Sequence, residues 1–471
     1  MTVSDISKSF LVLAFASLFT ACGGSSGSDD STDGSKVGTN ENVVEQPAAD
    51  SEGEGSLPDA EIEPRVVSVT WDESATSMSN SGLSGSSPMI AISESGNVAA
   101  AWVESTSPSS LWGRFFDKAK GEWSDATQLD KGIGNVASLT LYRTNPKVAF
   151  VGEVAVVVWQ QDGVVYGSIH DENGWSGNPQ SIDGIEGTLT AKEISIASLK
   201  DGTGAVVAYE YRDDSAPSML RSSTFSLATK LWSTPVEVAP EITSLLNGIQ
   251  MLTDSVSGAV YTAWRTGDVR DSDKQDLMIA SFLDGSWSEP ERVTSDDIGY
   301  VTIQADPESD HPVVLWASRD TGRLSLARHQ EGSWSISDLG FGKRVDSAVM
   351  ADGDILIAYQ TQNAGAWGSI ITQRLDFDTG IWEKKDLTGN EYSVAFPSVA
   401  TDGNGRAAVV YKNYHTWARD YTEADGWGRS YQPDGLNDGE ANTVVMNKAG
   451  DAALIWKTGS GDHNVHVLLG H

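Results

Sequence analysis

Aromatic rings interleaved with charge are the residues of this chain best suited to binding chemistry. The densest patch is Tyr411–Tyr421, "YKNYHTWARDY", in which Tyr414, His415, Trp417 and Arg419 stand beside Lys412. Rings of this kind stack on sugar faces or on protein side chains, and an interleaved cation adds charge recognition. An aromatic–small step recurs as "LWGRF" at Trp112, "AWGSI" at Trp367 and "TWARD" at Trp417, with "VYGSI" at Tyr166 as a tyrosine version. Trp112, Tyr166, Trp367, Tyr414, His415, Trp417 and Arg419 are therefore the candidate ligand-binding residues. The competing reading is that the rings at these steps fill gaps along a tapered sheet edge.

Other constellations promise less. His463 and His466 in "DHNVH" are three apart, which on a strand turns the imidazoles to opposite faces. The acidic stretch "DVRDSDKQD" (268–276) is the one place where Ca²⁺ is a candidate cofactor, yet it lacks the ordered spacing and closing Glu of an EF-hand. No metal site and no other cofactor is expected. Nucleophile elbows, phosphate loops and a Cys nucleophile are missing, so no catalytic residue is assigned.

These residues hang on a repeated text. "GEWSDATQL" (121–129), "NGWSGNPQSI" (173–182), "KLWSTPVEV" (230–238), "DGSWSEPERV" (284–293), "GSWSISDL" (332–339) and "GIWEKKDL" (380–387) all set a Trp between a turn and a polar-then-apolar strand. A second series ends apolar strands on an aromatic, at Trp102, Trp159, Tyr209, Trp264, Trp316, Tyr359, Tyr411 and Trp456, about 51 residues per step. Runs of Val, Ala and Ile bounded by Gly and Asp turns read as strands. Runs as apolar as Val154–Trp159 imply burial on both faces. Four such strands about every 50 residues make the blade of a β-propeller. Units begin near 88, 146, 192, 249, 300, 345 and 397, and an eighth, 442–471, has only three strands. "EPRVVSVTW" (63–71) supplies the fourth, giving an all-β ring of eight four-stranded blades, with seven as the runner-up. Trp123, Trp175, Trp232, Trp287, Trp334, Trp382 and Trp427 are expected between blades as packing. The long second-to-third connections (103–111, 211–219, 265–276, 360–366) make their face the better place for a ligand.

Charge and the N-terminus bound the setting. Against 32 basic residues stand 66 acidic ones, a net charge of −34, which repels phosphate backbones and argues against nucleic-acid binding. Phe10–Phe19 is too short to span a bilayer and suits a signal-peptide core. It leads into "LFTAC", ending at the chain's single Cys. This stretch resembles the lipobox of bacterial lipoproteins. The resemblance implies cleavage of a signal peptide (1–21), acylation of Cys22 and anchoring in the bilayer of the cell envelope, at the outer membrane in a two-membrane bacterium. Residues 23–64 hold eleven acids, one Lys and no aromatic residue, so 22–62 reads as a disordered tether and 63–471 as the propeller domain.

The turn-Trp text also resembles the Asp-box repeats of sialidase-type propellers, in degenerate form: "FLDGSW" (282–287) and "EADGW" (423–427) keep Asp, Gly and Trp but lack the leading hydroxyl. A sialidase needs three Arg for a carboxylate, a Tyr nucleophile and an acid, and Arg265, Arg319 and Arg374 are not assignable to such a triad. The architecture is similar to the propeller lipoprotein of the outer-membrane assembly machinery, although only "LDFDTGIW" (375–382) approaches its repeat motif. The expectation is a monomeric, non-catalytic binding or scaffold protein of the envelope with a protein partner. Lectin-like glycan binding is the alternative, and glycoside hydrolysis the remotest.

Overall fold

The computed structural model describes residues 68–471, apart from 80–82, 131–135, 137–145, 184–192, 212–217, 243–247, 268–274, 362–366, 378, 381, 390, 393, 434–438 and 459–463. The described residues fall in one compact unit, Glu61–His471. The expected signal peptide, Cys22 and tether lie outside them, as do the acidic segment 268–274 and His463.

Every regular element among the described residues is a strand, and the strands form eight antiparallel sheets of the four-stranded blade type. Their first strands are Gly85–Ile92, Lys147–Val151, Ile194–Ser198, Gln250–Thr253, Tyr300–Gln304, Lys343–Val349, Val394–Thr401 and Gly439–Met446. These starts fall within three residues of those expected. The second strands form the core. In Val154–Gln161 seven of eight residues are buried, and Val98–Glu104 is buried throughout. Such a strand has a neighbouring blade on each face, which is why its sequence is continuous rather than alternating. Trp102, Trp159, Tyr209, Trp264, Trp316, Tyr359, Tyr411 and Trp456 all end up buried.

The ring closes as expected, with a shift. Residues 70–78 run beside the last strand, Val465–Gly470: Trp71 bridges Gly470, Thr76 opposes Val467 and Ser77 opposes His466. The ladder bonds start at Thr70 and end at Met78, so the closing strand lies later than 63–71. Val69 is used instead as packing, wedged so closely that a Cβ on Gly470 would lie 2.3 Å from it.

The repeated Trp residues sit where each blade meets the one before it. Each pairs in register with a residue at the end of the third strand: Phe116–Trp123, His170–Trp175, Phe225–Trp232, Phe282–Trp287, His329–Trp334, Leu375–Trp382 and Tyr421–Trp427. Each indole also joins an apolar cluster that includes residues of the preceding blade. All seven are half-buried. Covering about 100 Å² of each is worth ~2.5 kcal/mol at about 25 cal/mol/Å².

Candidate binding mouth and interblade sites

Antiparallel order within a blade puts the tight first-to-second and third-to-fourth turns on one face of the ring. The second-to-third connections and the interblade links lie on the other. On that second face the first strands begin, and there a cavity of about 360 Å³ opens at the channel. Seven of the eight blades line it, through residues such as Met89, Lys147, Gln250, Tyr300, Arg344 and Phe396.

The backbone at this mouth is irregular in a repeated way. First strands carry a register shift between Ser86 and Met89 in blade 1, between Lys343 and Asp346 in blade 6, and between Ala395 and Ser398 in blade 7. Blade 8 has one between Glu440 and Thr443. At three of these bulges a non-glycine residue takes positive φ: Ser87 at 52°, Arg344 at 52° and Phe396 at 54°. For a side chain as large as Phe this region is unfavourable, and bulges of this kind re-aim side chains. The result is a stack: the Arg344 guanidinium lies 3.7 Å from the centroid of the Phe396 ring. Tyr300, beside it, is 43% exposed.

Charge at the mouth is unusual for this acidic chain. Lys147 also lines it, and burial pushes its ammonium below the ordinary lysine value, against the opposing pull of Glu193. Burial pushes the Asp346 carboxyl up, although its oxygens accept the N–H groups of Ser347 (3.0 Å) and Val399 (2.9 Å). That carboxyl is therefore committed to the fold.

The expected ligand residues do not come together. Trp112, Tyr166 and Trp417 occupy equivalent places, each opposite the buried aromatic of its second strand: Trp102, Trp159 and Tyr411. All three are half-buried and pack into clusters between blades. Trp367 does not share their position. In blade 6 it is Ile371 that opposes Tyr359, and Trp367 lies on a separate two-residue strand paired with Tyr392. The local text "AWGSI" repeats the others, but the ladder register does not follow it. In the "YKNYHTWARDY" patch the parts diverge. Tyr414 is exposed at the tip of the Asn413–His415 turn, whereas Arg419 is buried and donates from Nη1 to Leu387 O at 2.7 Å. His415 pairs with Asn413 across the turn and is half-buried. The glycine after Trp112 and after Tyr166 has a structural purpose: a Cβ on Gly113 would meet the Trp175 ring at 3.1 Å, and one on Gly167 would meet Trp232 Nε1 at 2.7 Å. The next blade's Trp lies on that glycine.

Arg265, Arg319 and Arg374 sit on three different blades and are each engaged. Arg265 donates to Ile298 O, Arg319 faces Asp297 and Asp320, and Arg374 donates to Asp354 (2.7 Å) and Tyr421 Oη (2.7 Å). The Asp–Gly turns hold themselves: Asp402 accepts from Asn404 N at 2.7 Å, and Asp254 from Val256 N at 3.0 Å. Such turns need no ion.

Sequence reading missed one cluster altogether. At the seam of blades 4 and 5, Glu291, His311 and His329 bring one donor atom apiece within 4.8 Å of one another. Two signals in the text pointed there. The turn carrying His311, 305–312, is the longest first-to-second turn of the ring. And the residue paired with the repeated Trp, aromatic or Leu elsewhere, is His only at His170 and His329.

No protein-family model matches the chain, and no curated protein does. Solved structures align with the chain at low identity. A protein of unknown function from Dyadobacter fermentans aligns over 86% of this chain and 99% of its own, at 12% identity and a TM-score of 0.44. The NanB sialidase of Streptococcus pneumoniae aligns over 87% and 99%, at 9% and 0.40. A puromycin-hydrolyzing peptidase of Mycobacterium tuberculosis aligns over 83% and 63%, at 12% and 0.46. Likenesses this remote carry nothing about activity.

Proposed function

We propose that this chain is a non-catalytic binding propeller of the bacterial cell envelope, tethered through an acylated Cys22, and that it grips a protein partner at the channel mouth. The observation that carries the reading is the Arg344–Phe396 stack, made at two positions of positive φ that are unfavourable for large side chains. Beside it stand the exposed ring of Tyr300 and the half-buried side chain of Lys147. Two cations and two rings in a chain of net charge −34 suit a partner segment that carries a carboxylate and an apolar side chain. The lectin alternative has less support, because Trp112, Tyr166 and Trp417 are spent on packing between blades.

The test is photo-crosslinking in native membranes from a benzoylphenylalanine placed at Tyr300, with a second probe at the distant, exposed Val256. A discrete protein adduct from position 300 alone, lost with Arg344→Glu, is the expected result. No adduct from position 300, together with glycan-array binding abolished by alanine at Trp112, Tyr166 and Trp417, would overturn it in favour of the lectin.

A further inference from the structure

We propose that Glu291, His311 and His329 form a binding site for a borderline divalent cation, zinc foremost, that joins blade 4 to blade 5. Glu291 begins the outermost strand segment of blade 4, Glu291–Ser295. His311 lies in the eight-residue turn of blade 5 and His329 near the end of its third strand, Arg323–Gln330. The three come from separate stretches of chain and meet across the seam.

The geometry is that of a prepared ligand set. His311 Nε2 lies 3.9 Å from Glu291 Oε2, and His329 Nε2 lies 4.0 Å from Glu291 Oε1. The two imidazoles are stacked, with centroids 3.9 Å apart and planes inclined by 27°. So the two imidazoles stand side by side against one carboxylate, each with its Nε2 near one of the two oxygens. Two imidazoles and a carboxylate are a donor set for a borderline ion such as zinc, rather than for Ca²⁺ or Mg²⁺, which take oxygen. Around a tetrahedral zinc with bonds of about 2.0–2.2 Å, donors stand ~3.3 Å apart. The three donors lie within 4.8 Å of one another, so capture draws them together by up to about 1.5 Å and splays the stacked rings. The site is half-buried and lies beside an open groove of about 900 Å³, so side-chain rotations supply that movement.

Groups behind the ligands hold them in the ligating form. Asp310 Oδ1 lies 2.8 Å from His311 Nδ1, so the proton rests on Nδ1 and the Nε2 lone pair is left for a metal. Trp334 Nε1 donates to Glu291 Oε1 at 2.8 Å and orients the carboxylate. Tyr261 Oη in turn donates to the Asp310 carbonyl and pins the turn. A His orienter, a Glu orienter and a turn clamp are the outer parts that metal sites use and that a chance pair of histidines lacks. His170, the equivalent of His329 in blade 2, shows the contrast. It stacks on Phe115 at 3.9 Å, burial lowers its affinity for protons, and among the described residues no second histidine joins it in a ligand cluster. With three protein ligands, a tetrahedral ion would keep a fourth position for water or for a partner's group, and the groove beside His311 and His329 gives access to it.

The test uses the full chain carrying Cys22→Ser, which removes the single thiol, stripped with a chelator and titrated with zinc and then with cobalt at pH 7.5. We expect one saturable equivalent of zinc and, with cobalt, the visible absorption of a four-coordinate site. His311→Gln and His329→Gln each weaken zinc binding on the order of a hundredfold or more. Asp310→Asn, which leaves all three ligands, weakens it about ten- to a hundredfold. His170→Gln leaves it unchanged. Circular dichroism of the metal-free variants verifies that each is folded. Two results would overturn the site: no saturable binding up to about 100 µM zinc, weaker than an affinity of ~5.5 kcal/mol, or binding that survives both histidine substitutions.

Discussion

The indole of Trp232 in blade 3 rests on the backbone of Gly167 in blade 2, leaving no room for even a methyl group between them. The step that looked like a ligand-binding signature, an aromatic followed by a small residue, is thus half explained by the next blade. Gly167→Ala should force the Trp232 ring aside and cost about 1–3 kcal/mol, the usual penalty of overpacking. Urea unfolding of the variant, with Gly177→Ala at a site where a Cβ meets nothing as the control, measures the difference.

Lys147→Met should make the protein more stable and a poorer binder. Burial lowers the folded-state pKa of Lys147, so between that value and the ordinary 10.5 the folded protein binds fewer protons than the unfolded chain. Stability attributable to this group rises as pH climbs through that window, and at neutral pH the cost of desolvating the ammonium is fully present. Removing it should gain about 0.5–2 kcal/mol. The same substitution should abolish the adduct from position 300. Denaturation at pH 7 and pH 10 checks the sign: the gain must shrink at the higher pH.

The bridge between blades 2 and 3 predicts the opposite limb of the pH profile. Lys230, through its hydrogen bond, holds the Asp171 carboxyl below the usual range. A carboxyl depressed in this way contributes stability that is complete above its unfolded pKa, near 3.8, and that disappears as pH falls through the lower folded value. Asp171→Asn should therefore matter most at pH 6 and progressively less as pH falls below 3.8. Thermal melts across that range, with wild type and variant converging in acid, are the expected outcome.

Blade boundaries could be read within three residues because buried second strands must be apolar on both faces and must end on a large ring, as at Trp159 and Trp264. Gly turns then mark each reversal. The closing strand was expected in the right partnership but too early, since "VVSVTW" has strand character whether it is used for a ladder, as at Trp71, or for packing, as at Val69. The mouth was not legible. Its bulges at Arg344 and Phe396 depend on a register shift that no local pattern encodes. Trp367 misled for the same reason, and the Glu291–His311–His329 cluster joins residues whose meeting only the ring decides.

The closing strand should also be the fragile part of the ring. Trp71 Nε1 donates to Tyr431 Oη at 2.8 Å, and Ser68 Oγ donates to the Ala407 carbonyl at 2.9 Å, so this segment ties blade 8 to blade 7 as well as completing it. Trp71→Phe, which keeps the ring and loses the bond, should cost about 1 kcal/mol. Deleting residues 68–79 should leave the edge of Val465–Gly470 bare, and size-exclusion chromatography should then show more association than the parent chain does at the same concentration.

That arrangement sets a clock on synthesis. Trp71 and its partner Gly470 are 399 positions apart. At roughly 5–20 residues per second a ribosome needs ~20–80 s to travel from one to the other. Blades 1 to 7 can each collapse soon after they emerge, because their strands are neighbours along the chain. The first strand to be made waits through all of them, and the circle is sealed by its oldest and youngest segments.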